Sequence, residues 1–381
     1  MKITKVFYLT MTLLMTAMLL LPASCSKETE GPASESNRWL ELLSVLPANE
    51  NTLKAAYLQD GAYLAEKTEQ YPQIPEEYNI TRNMPLFGSS PRAYSDEEWK
   101  QTLGFVKADV DQKIFAGALP IHYYESVRGR FSRDDVDSAT RTGPGNEMLE
   151  VIAYRGHKFY SWGEDHNINM SMRSNVRPLG KGFRLALADD FIFWVGWTDA
   201  MKEMIDSYED NIESLADNED YKLLAAALEE FDTVNAFFSV GSQSQSRFKE
   251  MNKEQLEQLS TEIKERFLEE IDRDVRLKPY QALAAGAGID GKGYYLAIAL
   301  VNTNEEVARE NATLLEQRIN QAKIVWGSQS DRKWSDFIES MEIESKGRLT
   351  LARLYGEVCM YWNYFEISPG WWPYEPLLMH E

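Results

Sequence analysis

Chemistry in this chain would have to start from few residues. Its four histidines are His122, His157, His166 and His380. His157, Glu164, Asp165 and His166 alone combine the donor types of a metal site, because imidazole and carboxylate both ligate zinc. They flank a short strand-like run and could converge at its end, but no i, i+4 helical spacing sets their geometry. Polar side chains at hairpin ends account for them equally well. The run Gly286-Ala287-Gly288-Ile289-Asp290-Gly291-Lys292-Gly293 carries a GxGxxG pattern. That pattern binds phosphate by aiming backbone N–H groups and a helix N-terminus at it. Here an apolar strand follows, Gly293 stands where a metal-binding hydroxyl belongs, and Asp290 adds negative charge. The run therefore reads as a hairpin turn. Gly241 to Ser246 lacks the glycine of a nucleophile elbow, and no cofactor is expected.

Two further sites carry potential. Trp371 and Trp372 lie among Pro369, Pro373 and Pro376, which rule out a helix or a central strand. They either clamp the tail onto the body or stack on a ligand. At the other end, Lys2 and Lys5 precede an uncharged stretch from Val6 to Leu21, and Pro22-Ala23-Ser24 leads to Cys25. A basic start, an apolar run and small residues make an export signal, and ending on cysteine points to a thiol that is acylated. Cleavage nearby with release of a soluble protein, or retention of the apolar run as a short anchor, are the alternatives. The run is shorter than the roughly 20 residues that span a bilayer comfortably.

The leader resembles a bacterial lipoprotein signal, in which the lipobox cysteine becomes the first mature residue. It departs from that pattern in one place: Pro22 stands three before Cys25, and the aliphatic Leu21 lies one step further out. The resemblance implies lipidation at Cys25 and attachment to a membrane outside the cytoplasm. The body resembles uncharacterised secreted bacterial lipoproteins in its Leu46-Pro47-Ala48 opening and Tyr154-Arg155-Gly156 hairpin, a group that implies location and no chemistry.

Composition narrows the partners. The 381 residues carry a formal charge of −20, and −22 without Lys2 and Lys5. Nucleic-acid affinity rests on lysines and arginines neutralising phosphates, so nucleic acid is excluded as a partner. With 44% apolar residues the body can bury a sizeable core. Only Cys25 and Cys359 are present, so packing and not disulfides must stabilise it. Cys359 sits in an apolar run and reads as a small buried hydrophobe.

The positioning elements read as follows. A leader over 1–25 and a polar tether over 26–38 precede a first lobe, 39–247. That lobe holds a helical pattern from Asn51 to about Glu69 and a proline-rich loop from Tyr71 to Pro91. A Ser95-to-Glu98 capping box follows, then hairpins around Arg155-Gly156 and Asp189-Asp190, then helices from Thr198 and Glu219. A connecting amphipathic helix over 248–276 has Leu256, Leu259, Ile263, Phe267 and Ile271 on one stripe. A second lobe, 277–366, repeats strand, turn, strand, cap and helix, and an aromatic tail covers 367–381. The expected class is α+β: two ββα-type units with mainly antiparallel sheets, covered on one face by helices and joined by the long amphipathic helix. The function expected is a membrane-anchored, non-enzymatic binding or envelope-assembly protein with a protein or glycan ligand. The alternative is an extracytoplasmic hydrolase or carbohydrate-active enzyme built on a carboxylate pair.

Overall fold

Strands that are apolar on both faces need cover on both sides, and this requirement decides the architecture. The computed structural model of the chain describes residues 37–73, 78, 80, 95–118, 122–146, 149–173, 180–241, 257, 260–271, 275–324, 332–362, 365 and 376–380. Twelve strands are present among them. They are β1 Ala56–Asp60, β2 Val110–Ala118, β3 His122–Gly129, β4 Glu150–Tyr154, β5 His157–Trp162 and β6 Phe183–Ala188. The rest are β7 Phe191–Val195, β8 Asn235–Val240, β9 Tyr280–Asp290, β10 Gly293–Asn302, β11 Ser340–Lys346 and β12 Leu349–Tyr355. They form one sheet in the order β11-β12-β10-β9-β8-β1-β2-β3-β7-β6-β5-β4, with every pairing antiparallel. The class is therefore α+β, and the strands of both expected lobes share this sheet through the β8–β9 pair.

The helices are α1 Arg38–Leu43, α2 Gly61–Gln70, α3 Asp96–Leu103, α4 Arg133–Thr142, α5 Thr198–Tyr208, α6 Glu219–Glu230, α7 Thr261–Ile271 and α8 Glu305–Gln321. They cover both faces of the sheet, not the one face expected. Trp39 and Leu42 of α1, Met201 and Met204 of α5, and Tyr221 and Leu224 of α6 pack on one side, over Leu58, Ile114, Phe193, Phe238 and Ala299. Trp99 of α3, Val136 of α4, and Leu315 and Ile319 of α8 belong to the opposite core, with Tyr57, Phe115, Leu185, Phe237 and Ile298. The physical reason lies in β6, β7, β9 and β10, which are buried at nearly every position. The two strand–turn–strand–helix runs accordingly send α5 and α8 to opposite faces.

Local chemistry explains the boundaries. Arg155 and Gly156 both take positive φ, 46° and 85°, which a two-residue hairpin turn requires. Ser95 and Glu98 exchange the expected capping-box bonds at the start of α3. The helical pattern expected from Asn51 to Glu69 is corrected: Thr52–Lys54 is a single 3-10 turn, Ala56 to Asp60 is the central strand β1, and the α-helix is Gly61–Gln70. The Asp60 carboxylate accepts from the Tyr63 N–H, so the strand's last residue caps the helix and no loop intervenes. Within the expected 248–276 helix, α7 is described, whereas Leu256 and Leu259 and the side chains of Ile263, Phe267 and Ile271 lie outside the described residues.

The glycines of the GxGxxG run have packing roles. A Cβ at Gly286 would stand 2.4 Å from the Asn235 carbonyl oxygen, and one at Gly288 would stand 2.2 Å from the Tyr295 hydroxyl. Tyr295 lies directly opposite Gly288 on β10 and donates to the backbone carbonyls of Phe231 and Asp232. Asn37–Glu381 forms one compact unit, and no helix among the described residues is long and apolar enough to cross a membrane.

Candidate functional site

A shallow cleft opens where β3, β5, β6 and β7 end together. Tyr123, His166, Asn167, Ile168, Lys181 and the glycines 182 and 196 line about 250 Å³, open solvent included. The connection from Trp162 to Phe183 builds its rim. That connection folds back on itself through an Ile168–Lys181 bridge and an Asn169 N–H that donates to the Gly180 carbonyl. Gly180 has φ 58°, and a Cβ there would stand 1.8 Å from the Asn169 oxygen, so no other residue fits this approach.

Behind the rim the sheet is aromatic. The rings of Trp162, Phe183 and Trp194 stack across β5, β6 and β7, with centroids 5.9 and 4.2 Å apart. The series continues on the other side through Tyr123, Phe115, Tyr57 and Phe237. Two charged residues interrupt it, Lys113 on β2 and the wholly buried Glu125 on β3. Lys113 is partly shielded, and loss of hydration pulls its ammonium down to about 8, against the opposing pull of the Glu125 charge. At the cleft itself the Lys181 ammonium lies 5.7 Å from the Tyr123 ring centroid, a cation–π contact. Burial lowers the affinity of Lys181 for its proton. Burial, and then the Glu125 charge, raise the Tyr123 phenol above its usual range. An ammonium and an imidazole beside the exposed side chain of Ile168, backed by the buried Tyr123 ring, can hold a small group of negative charge or aromatic character.

The residues singled out from sequence are spread apart. His157, at the start of β5, has its Nε2 2.8 Å from a Glu209 oxygen. His166 reaches the cleft and lies against Trp197, ring centroids 5.3 Å apart. Asp165 is committed elsewhere: one oxygen accepts from the Arg184 guanidinium at 2.6 Å, the Thr198 N–H at 2.8 Å and the Thr198 hydroxyl at 3.0 Å. Asp165 thereby caps α5 from the connection that follows β5. Among the described residues, no three His, Cys, Asp or Glu side chains are grouped to hold a metal ion. Cys25, Trp371 and Trp372 lie outside the described residues. Cys359 is buried, and burial raises its thiol well above the ordinary value.

Lys181, Tyr123 and Arg184 escaped the sequence reading. A charge set in an apolar strand, as in Phe183-Arg184-Leu185 or Tyr124-Glu125-Ser126, is the signal that marks this region.

No family model matches the chain, and no curated protein matches it. Among solved structures it is similar to TP0453 in its crystal form I, with a TM-score of 0.37 and 10% identity over 84% of this chain and 94% of that one. A likeness at that level establishes neither a common fold nor a common function.

Proposed function

We propose that the chain is an extracytoplasmic lipoprotein held on a membrane by acyl chains on Cys25, with a body that acts by binding or assembly and not by catalysis. One observation carries the reading: Lys2 and Lys5, then an uncharged Val6 to Leu21, then small residues before Cys25, then a polar tether. Two or more acyl chains hold a protein on a bilayer firmly, whereas one binds only marginally. The side chains with most chemical promise are spent on the fold, Asp165 on Arg184 and α5, His157 on Glu209. In the building plan we propose, β6–β7–α5 and β9–β10–α8 are separate ββα units sharing one sheet, with the α7 segment between them. The partner is an envelope protein or glycan that places an anionic or aromatic group against Lys181 and His166. Nucleic acid is unsuited to a chain whose formal charge is −20, or −22 without Lys2 and Lys5.

Fractionation of cells producing wild type and Cys25→Ser tests the reading. Wild type is expected in the membrane pellet, resistant to high salt, and Cys25→Ser in the soluble extract. Equal solubility of the two contradicts the anchor.

A further inference from the structure

The sheet has two edges, and they are built differently. At one end β11 reads Ser340-Met341-Glu342-Ile343-Glu344-Ser345-Lys346, and its exposed positions carry Glu342, Glu344 and Lys346. Charges on an edge strand are the usual defence against pairing with another chain. At the other end β4 reads Glu150-Val151-Ile152-Ala153-Tyr154, with no proline, no lysine and one acidic residue at its first position. Glu150, Val151 and Ala153 are exposed, and Val151, at 55%, heads the large apolar side chains that face water. β4 is the last strand of the sheet: it pairs with β5 on one side, and among the described residues no strand pairs with its other side.

The register of the β4–β5 hairpin settles which backbone groups point outward. Tyr154 is opposite His157 across the two-residue turn, so Tyr154, Ile152 and Glu150 exchange hydrogen bonds with β5. The N–H and C=O groups of Val151 and Ala153 point away from the sheet. An antiparallel strand is completed there when a partner presents outward groups at the same two-residue spacing.

We propose that β4 is a self-association edge, where a second copy of this chain pairs its own β4 antiparallel about a two-fold axis through Ile152. Only an even sum of paired residue numbers keeps like faces together around such an axis, because side chains alternate with period 2. Centring on Ile152 overlaps all of β4, puts Val151 opposite the partner's Ala153, and aligns the outward N–H and C=O groups of both. Each exposed apolar side chain then meets an exposed apolar side chain. Glu150 faces the partner's Tyr154, so no like charges stand opposed. The charges beside β4 are paired within the molecule, Arg155 with Asp206 at 3.0 Å and Lys158 with Asp137 at 2.8 Å, so the edge itself carries little uncompensated charge. The occupant is a second copy because the even-sum register centred on Ile152 is the one that overlaps all five residues of β4 and opposes Val151 to Ala153. An interface of one short strand falls in the weak class, so the dimer is a concentration-dependent one.

The test uses the full chain in mild detergent, with sedimentation velocity over a concentration series. Wild type should move from monomer to dimer, and Val151→Lys should weaken the dissociation constant by about tenfold or more with an unchanged urea midpoint. Ile152→Cys should cross-link to a dimer under mild oxidation, because the two Cβ atoms meet on the axis, and Ala153→Cys should not. A wild type that stays monomeric throughout, an Ile152→Cys that does not cross-link, or an edge that pairs only with added foreign peptides each overturns the proposal.

Discussion

Lys113 is the residue whose environment makes the sharpest statement about energy. Loss of hydration holds its ammonium near 8, below the usual lysine value of about 10.4. Between those two pH values the unfolded chain keeps a proton that the folded chain has released, so this residue adds stability as pH rises through that window. Wild type is therefore expected to gain about 1–2 kcal/mol on Lys113→Met between pH 8 and 10, discounted for the partial exposure of the side chain. Urea unfolding at both pH values checks it, and a parallel pH response of the two proteins contradicts it. Gly288 offers a second residue-level check, since a Cβ there collides with the Tyr295 ring. Gly288→Ala should cost about 1–3 kcal/mol in wild type and less than about 1 kcal/mol in a Tyr295→Ala background, measured as a double-mutant cycle. Equal costs in the two backgrounds would separate the glycine from the tyrosine.

Among the elements, α5 depends on a residue remote in sequence. Asp165 supplies the cap that α5 lacks locally and is also the carboxylate partner of Arg184, whose side chain is 4% exposed. Asp165→Ala should lower stability by about 2–4 kcal/mol, because it removes a cap and strands a buried charge. Adding Arg184→Met should restore part of that loss, read as a rise in the urea midpoint, since the orphaned guanidinium carries most of the cost. Elements of this kind also mark how far the sequence could be read. Hairpins announced by Arg155-Gly156, Asp189-Asp190 and the Gly286-to-Gly293 run, and the helix announced by the Ser95 box, stand where their turn and cap chemistry put them. β1 was hidden because Asp60 serves strand and helix together, leaving no turn residues between them. β2, β3, β8 and β12 each pair on at least one side with a strand far along the chain, whereas β11 pairs with β12 alone among the described strands, across the short Lys346-to-Leu349 turn. Ala56 of β1, for example, pairs with Ala116 on one side and Phe238 on the other. The candidate cleft was harder still to read, and only His166 among its lining residues was singled out. Lys181 and Tyr123 gain meaning only when the ends of β3, β6 and β7 meet.

At the scale of the whole molecule, the strands of both expected lobes share one sheet with a core on each face. A chain ending at residue 247 would leave β8 as an open edge, with Phe237 and Phe238 uncovered where β9 now pairs. That fragment is expected to aggregate or to lack fixed near-ultraviolet circular dichroism, and a soluble, cooperatively unfolding fragment would show that the first lobe stands alone. The chain's acidity, and the polar residues that follow Cys25, suit the proposed globule that works beside a membrane without lying on it. The most direct test is the intact mass of the wild-type chain extracted from membranes. The account predicts a chain that begins at Cys25 and is heavier than its amino acids by acyl groups, an increment absent from Cys25→Ser. A chain recovered from the cytosol at the mass of the unmodified 381 residues would contradict it.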